Sequence, residues 1–379
     1  MNLGFTIFKV ALILSPILIL RIAEITLSDY LFLLAFAISF LQSRSIYINS
    51  KILRQLYFPL ILIFAFASMS TITNPDKFQS SITLGKFFIL LILIPWTFRK
   101  LCVSERQFDT LVNYYLSGMI FSSIYIIFDR YRTFGISAPI LSAREFGFAE
   151  HVTNAGGICA ISVLSCLIFL DRRKRLLRLT LTTISLFALV LTGSLSGYIA
   201  TLAGLLVYFF RENGSFISKK NLINVSSLLV FLFILNDAFR ISERISHATS
   251  GRYDTASIRL ENWKLVITSS YKDLPTFLFG NGLNPQNNLV VVSTGELLGP
   301  HNIILQCLSA GGVMFAIGIF MFLFQILIIA FRNRTNLDFL PLLVSSFMFA
   351  MTSPLMYSRY IWLPFLLALH HSILMESKN

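Results

Sequence analysis

Charged side chains are scarce in this chain. Asp, Glu, Lys and Arg make up 13% of its residues, about half the share in ordinary soluble domains. With 55% hydrophobic residues and a mean hydropathy of +0.74, a soluble globular protein is excluded. Segments of about ten residues that alternate apolar with polar are missing too, which excludes a membrane β-barrel. Cysteine is rare: Cys102, Cys159, Cys166 and Cys307 all lie in or beside apolar runs. Their positions offer neither a disulfide framework nor metal-ligand spacing. No segment between the runs carries an Asp-x-Asp or a carboxylate pair suited to a divalent metal. Glu145 and Glu150 are five apart and lie near arginines. No Ser-His-Asp order stands out, so neither a metal nor a cofactor is expected. Few ionisable groups fall in the middle of a run, where an ion-coupled transporter needs them. The first apolar run has Lys9 as its only early charge and no small-x-small site after it. It reads as a retained span rather than a signal peptide.

What the chain does have is many apolar runs, each long enough to cross a bilayer core of roughly 30 Å as a helix. Spans are expected near residues 5–20, 26–42, 55–72, 83–98, 108–128, 152–170, 177–192, 195–210, 222–236, 302–331, 339–353 and 360–375. The expected fold is all-α and polytopic, with about twelve transmembrane helices and one long polar loop. Residues 1–236 carry nine spans, residues 237–301 the loop, and residues 302–379 three more spans. The run 302–331 is longer than a span needs, so it tilts or begins as an interfacial helix. Lys and Arg set the orientation. With both termini cytoplasmic, the cytoplasmic segments hold 18 Lys/Arg against 6 Asp/Glu, and the other side 13 against 12. The pI of 9.7 is thus a topology signal, and no nucleic-acid partner is needed to explain it. The long loop faces away from the cytoplasm.

On that outer side arginine outnumbers lysine. Arg130, Arg132, Arg144, Arg240, Arg244, Arg252, Arg259 and Arg359 stand against Lys77, Lys86, Lys264 and Lys272. The guanidinium fork binds phosphate two-pronged and keeps its charge when partly buried. On a face that usually loses basic residues, this points to an anionic ligand. For any single arginine, pairing with Glu243, Asp254 or Glu261 is the plainer reading. Within the loop, Ala238–His247 and Thr255–Ser270 read as helices, with Asp254 as N-cap of the second. Arg259 and Trp263 are four apart and share a face of that helix. Trp263 either stacks on a sugar or sits at the headgroup boundary, where tryptophan is enriched anyway. His301 lies where the loop meets the membrane, and its imidazole is able to accept a proton from a sugar hydroxyl. The alternative is a polar helix start with Asn302 as the cap. Gly193 and Gly197 allow a tight, close-packed turn between two spans. Phe279-Gly280-Asn281-Gly282-Leu283-Asn284 reads as a turn cluster, with a phosphate-binding loop as the weaker reading.

Several pieces occur in a familiar order: Arg144-Glu145-Phe146-Gly147 before His151-Val152-Thr153-Asn154-Ala155, then Thr192-Gly193-Ser194-Leu195-Ser196-Gly197. Arg259-x-x-x-Trp263 follows, leading to Phe279-Gly280-x-Gly282, and then His301-Asn302 with Gly311-Gly312 downstream. In this order and layout the chain resembles the O-antigen polymerase and O-antigen ligase family of bacterial inner-membrane glycosyltransferases. Two positions depart from the family pattern. Leu195 stands where the family turn commonly has arginine, and Phe315 where ligases often have the second glycine of Gly-x-x-Gly.

The resemblance implies a multi-pass inner-membrane enzyme that acts on undecaprenyl-diphosphate-linked oligosaccharide at the periplasmic face, without a metal. It implies polymerisation of repeat units, with ligation of the finished glycan to lipid A–core as the alternative. A flippase or transporter is the reading from a different class. The expected partners are the lipid-linked glycan and the bilayer, with room for a chain-length regulator protein. Arg259 and Arg252 would hold the leaving diphosphate, His301 would orient or deprotonate the acceptor hydroxyl, and Arg144 or Arg132 would grip the second lipid-linked chain. Trp263 and Asn302 complete the expected site.

Overall fold

The computed structural model describes residues 3–22, 25–42, 50–74, 76–134, 146–149, 151–171, 173–213, 255–293, 297–332, 334–353 and 358–376. Helices α1 (Leu3–Leu14) and α2 (Leu27–Gln42) are joined through a short hairpin, β1 (Arg21–Ile22) and β2 (Ile25–Thr26). Helix α3 (Lys51–Thr73) follows. Then α4 (Lys77–Phe88) continues through a π-turn (Ile89–Leu93) into α5 (Ile94–Leu101). Next come α6 (Glu105–Phe134), α7 (Val152–Phe169), α8 (Arg175–Thr192) and α9 (Leu195–Asn213). The polar segment holds α10 (Thr255–Ser270), α11 (Leu274–Phe279) and a two-stranded ribbon, β3 (Val290–Val291) with β4 (Leu297–Leu298). Helices α12 (Ile303–Arg332), α13 (Leu340–Ala350) and α14 (Arg359–Glu376) end the described chain.

Among the described residues, six helical stretches are long and apolar enough to cross a membrane: Lys51–Thr73, Lys77–Leu101, Glu105–Thr133, Val152–Phe169, Arg175–Thr192 and Ile303–Arg332. Leu3–Leu14, Leu27–Gln42, Leu195–Arg211 and Leu337–Ala350 are apolar but shorter. The chain is therefore a helical multi-pass membrane protein, in which six stretches meet the full length and the twelve expected spans stand as an expectation. The expected span 222–236 and the expected helix Ala238–His247 lie outside the described residues, as does Asp254. The expected helix 255–270 is α10.

The helix ends show why the chain folds locally as it does. Ser50 caps α3 through Leu53 N, Asp76 caps α4 through Gln79 N, and Asp273 caps α11 through Thr276 N. Each carboxylate or hydroxyl takes a donor that the first turn leaves unpaired. At the α8–α9 turn, Gly193 closes α8 in the left-handed region and Ser194 Oγ accepts Gly197 N at 3.3 Å. A Cβ on Gly197 would lie 2.8 Å from Gly156 O. The expected packing role of this turn thus has a partner, the first turns of α7. Helix α7 is buried from Ala155 to Cys166 and forms the centre of the bundle.

Helix α12 is not continuous. Gly312 adopts φ 78° and ψ −178°, which breaks the run in two. The break frees carbonyls that the helix would otherwise use. Asn281 N donates to Ser309 O at 2.7 Å, and Gly282 N to Ala310 O at 3.0 Å. Ser70 Oγ of α3 also donates to Ala310 O, at 2.6 Å. A Cβ on Gly312 would lie 2.2 Å from Leu278 O, and one on Gly282 only 1.4 Å from Asn74 Nδ2. The two backbones therefore touch directly. Side-chain amides extend the lock. Asn288 Nδ2 donates to Gly282 O and Asn284 O, and Ser309 Oγ donates to Asn288 Oδ1. Asn74 Nδ2 donates to Asn281 O, and Asn284 Nδ2 donates to Asp76 Oδ2 at 2.8 Å. The glycine cluster serves docking, which accounts for it without a bound phosphate. Phe315 also has a reason: it is fully buried and stands edge-on to Phe87, with ring centroids 5.5 Å apart.

Gly282→Ala tests this lock, because the site has neither the space nor the backbone angle (φ 101°) for a side chain. A loss of about 2–4 kcal/mol is expected, read as a lower unfolding midpoint of the detergent-solubilised protein. Gly85→Ala, where a Cβ meets nothing within 4 Å, should leave the midpoint unchanged. Equal midpoints for the two variants would refute the lock.

Candidate functional site

The starts of α7, α9, α12 and α14 converge on one face of the bundle with the end of α13. Ser196 Oγ donates to Thr352 O at 3.0 Å, and Asn302 Nδ2 donates to Met351 O at 3.2 Å. Tyr360 OH donates to Asn154 Oδ1 at 3.3 Å. Arg359, counted above among the outer arginines, forms a buried ion pair with Asp29 of α2 and donates to Ser28 Oγ at 2.9 Å. Its charge is therefore spent on joining α14 to α2. Nothing local in the chain marks that pairing, since the two residues are 330 positions apart.

Above this floor lies α10. Its Glu261 carboxylate accepts Ser293 N at 2.9 Å and Ser293 Oγ at 2.7 Å. Asn262 Nδ2 donates to Leu298 O at 3.0 Å. These bonds fasten the helix to the β3–β4 ribbon, whose second strand leads directly to His301. Glu261 thus anchors the helix, and no bond to a loop arginine is needed to explain it. The consequence is that Arg259 and Trp263 are held on a fixed helix beside the start of α12. Trp263 Nε1 is buried with no hydrogen-bond partner.

His301 immediately precedes α12 and is partly buried. Its Nδ1 is buried and makes no hydrogen bond. Burial, the charge of Arg259 and then that of His151 push its pKa down from 6.5 to about 4. The ring is therefore neutral at physiological pH, with a nitrogen open to accept a proton. His151 was given no role in the sequence reading. It caps α7, with Nδ1 accepting Thr153 N at 3.2 Å. No sequence signal linked two histidines 150 residues apart. The structure joins α10, α7 and α12 in one polar site.

The other expected residues fall as follows. Asn302 caps α12, its Oδ1 accepting Ile304 N at 2.9 Å and Leu305 N at 3.1 Å. Together with the bond to Met351 O, this gives it a structural part. Arg132 lies exposed in the last turn of α6 and pairs with Asp129 at 3.4 Å. Two residues before it, Arg130 is fully buried. Arg252 and Arg144 lie outside the described residues. Among the described residues, no three His, Cys, Asp or Glu side chains gather as metal ligands. A cavity of about 360 Å³ lined by Asp109, Asp171, Asp338 and His371 sits at the opposite ends of α6, α7 and α14, away from His301.

The depressed pKa has a sign that is open to measurement. Between about 6.5 and 4 the unfolded chain protonates this histidine while the folded one does not, so its contribution to stability falls as pH drops through that window. Removing the Arg259 charge in Arg259→Gln should raise the His301 pKa toward 6.5, and His151→Gln should raise it less. Burial, the largest cause, should keep both below 6.5. Ring-labelled histidine NMR in nanodiscs reads the shift, and an unchanged value in Arg259→Gln would show that the two groups do not interact.

No curated protein matches the chain. A family model described as O-Antigen ligase matches residues 179–323. The matched stretch runs from α8 through α10 and His301 and past the Gly312 break into α12. Over that stretch the chain's likeness to the O-antigen polymerase and ligase family is shown.

Proposed function

We propose that the chain is a membrane glycosyltransferase that polymerises lipid-diphosphate-linked oligosaccharide repeat units at the periplasmic face of the bacterial inner membrane. The observation that carries this reading is a neutral histidine beside an arginine at the head of a membrane helix, inside the stretch that matches the family. The family match supports O-antigen polymerase or ligase activity in general.

In the proposed reaction an acceptor sugar hydroxyl attacks the anomeric carbon of the donor. The new glycosidic C–O bond forms as the bond to the diphosphate oxygen breaks. The bonding pair leaves with the diphosphate, and the hydroxyl proton passes to His301. Arg259 offsets the charge that builds on the leaving diphosphate. Trp263 offers an aromatic face and an indole N–H to a sugar. Arg252 joins Arg259 on the diphosphate, and Arg144 or Arg132 holds the second lipid-linked chain. The carrier is undecaprenyl diphosphate, and both termini are cytoplasmic.

The ligase reading keeps the same residues and changes only the acceptor to lipid A–core. The family match fits either acceptor. Leu195 and Phe315, which depart from the family pattern, favour the polymerase. A deletion strain separates the two: without a polymerase a single repeat unit stays on the core, and without a ligase the core is bare.

His301→Ala and Arg259→Ala should each lower polymer formation about 100-fold or more, while the proteins accumulate normally in the membrane. Purified protein with lipid-linked repeats reads the new glycosidic bonds directly. Full-length polymer from both well-expressed variants would remove these residues from the reaction. A purified wild-type protein that joins no repeats to any acceptor would point instead to a flippase or transporter.

A further inference from the structure

One edge of α10 takes no part in fastening the helix or in the proposed chemistry. Leu260 is 63% exposed, Ile267 41%, Tyr271 62% and Leu274 67%. Spacings of seven, four and three residues set the first three on one side of a helix and carry the line to the start of α11. Lys264 is exposed along the same edge, and Lys272 is exposed in the turn that follows the helix. On the opposite side Asn262, Val266 and Ser270 are buried. Helix α10 also carries Arg259, Glu261 and Lys264 in its middle and is not among the helices apolar enough to span. An apolar edge with lysines beside it, on a helix too polar to cross, suits a helix lying in a membrane interface.

The position of α10 agrees with this. Asn262 is bonded to Leu298 O, three residues before His301 and the first turn of a spanning helix. At the other end, α11 packs on α3 and α12. The Phe279 ring stacks on Phe66 of α3 at 6.0 Å. The apolar edge thus emerges at the depth where spanning helices end. Ile72 of α3 and Phe78 of α4 are exposed apolar side chains as well. In the chain they flank Asn74 and Asp76, on which residues 281–287 dock.

We propose that α10 lies in the bilayer interface. The Leu260–Ile267–Tyr271–Leu274 edge sits among the upper acyl chains, and Lys264 and Lys272 reach the phosphates of anionic lipid headgroups. Lysine stems run along apolar surface while the ammonium stays with water and phosphate, and tyrosine is enriched at this depth. Arg259 and Trp263 flank Leu260 and Lys264 on the helix, so the same placement holds them at headgroup level. There a membrane-bound diphosphate would meet Arg259, a consequence that rests on the proposed function. The interfacial placement itself does not.

The test uses the full chain in vesicles of zwitterionic and anionic lipid. A fluorophore is attached at Ile267→Cys, the four native cysteines being buried. Acyl-brominated lipid should lower its emission by about half, and aqueous iodide should lower it far less. Quenching by iodide alone would place the edge in water and overturn the proposal. Protection from both quenchers would mean that protein covers the edge, which overturns it as well. Lys264→Gln combined with Lys272→Gln should weaken lipid quenching in anionic vesicles and leave it unchanged in purely zwitterionic ones. Equal quenching in anionic vesicles with and without the lysines would refute the headgroup contact. None of these readings depends on catalysis, so a failure here is distinguishable from inactivity of the His301 site.

Discussion

The structure turns on two carbonyls that α12 gives up. Gly312 breaks that helix inside its apolar run. A carbonyl without a donor is costly at membrane depth unless protein supplies one. Here the polar segment supplies it, with Asn281 N on Ser309 O and Gly282 N on Ala310 O. Breaking the helix and docking the segment are therefore one event. Neither is stable alone: the broken helix needs the donors, and the glycine turn needs a backbone to lie against. The approach is so close that only glycine fits at residues 282 and 312.

From that contact the rest of the face follows. Ser70 and Asn74 bring α3 into the same joint. Asp76, which already caps α4, receives Asn284. The ribbon that continues from this turn carries the partners of Glu261 and Asn262, and so fixes α10. Arg259 thus keeps its place beside His301 without a disulfide, since all four cysteines are free and buried in the bundle. Amides and glycines hold the polar segment in a setting where cross-links are absent. The buried Asp29–Arg359 pair does similar work between α2 and α14. Burying two charges is costly and is offset only when each finds the other and further donors or acceptors. Ser28 provides the further acceptor.

Much of this was legible from local pattern. The expected helix 255–270 needed only its spacing, and the Gly193–Gly197 turn needed only small residues between apolar runs. The glycine cluster at 280–284 announced a turn for the same reason. What stayed hidden was every feature made by distant residues. The break at Gly312 sits in an unbroken apolar run, so periodicity passes straight through it. Only the excess length of 302–331 hinted at it. The Asp29–Arg359 pair joins the two ends of the chain, and nothing local marks either member. In the candidate site, Arg259, Trp263 and His301 stand out because charge, aromatic and imidazole occur together in one polar segment. His151 does not, because its nearness to His301 depends on how α7 and α12 each pack against α13.

That packing gives the site its electrostatic character. A histidine pressed below its usual pKa by burial and by an arginine is a weak base. An anion bound at Arg259 would oppose the guanidinium field at the imidazole. In the proposed reaction the donor diphosphate is that anion, so donor binding would raise the proton affinity of His301. The base would strengthen only once the bond to be broken is in place. The same arginine that steadies the leaving group would then also set when His301 becomes an effective base.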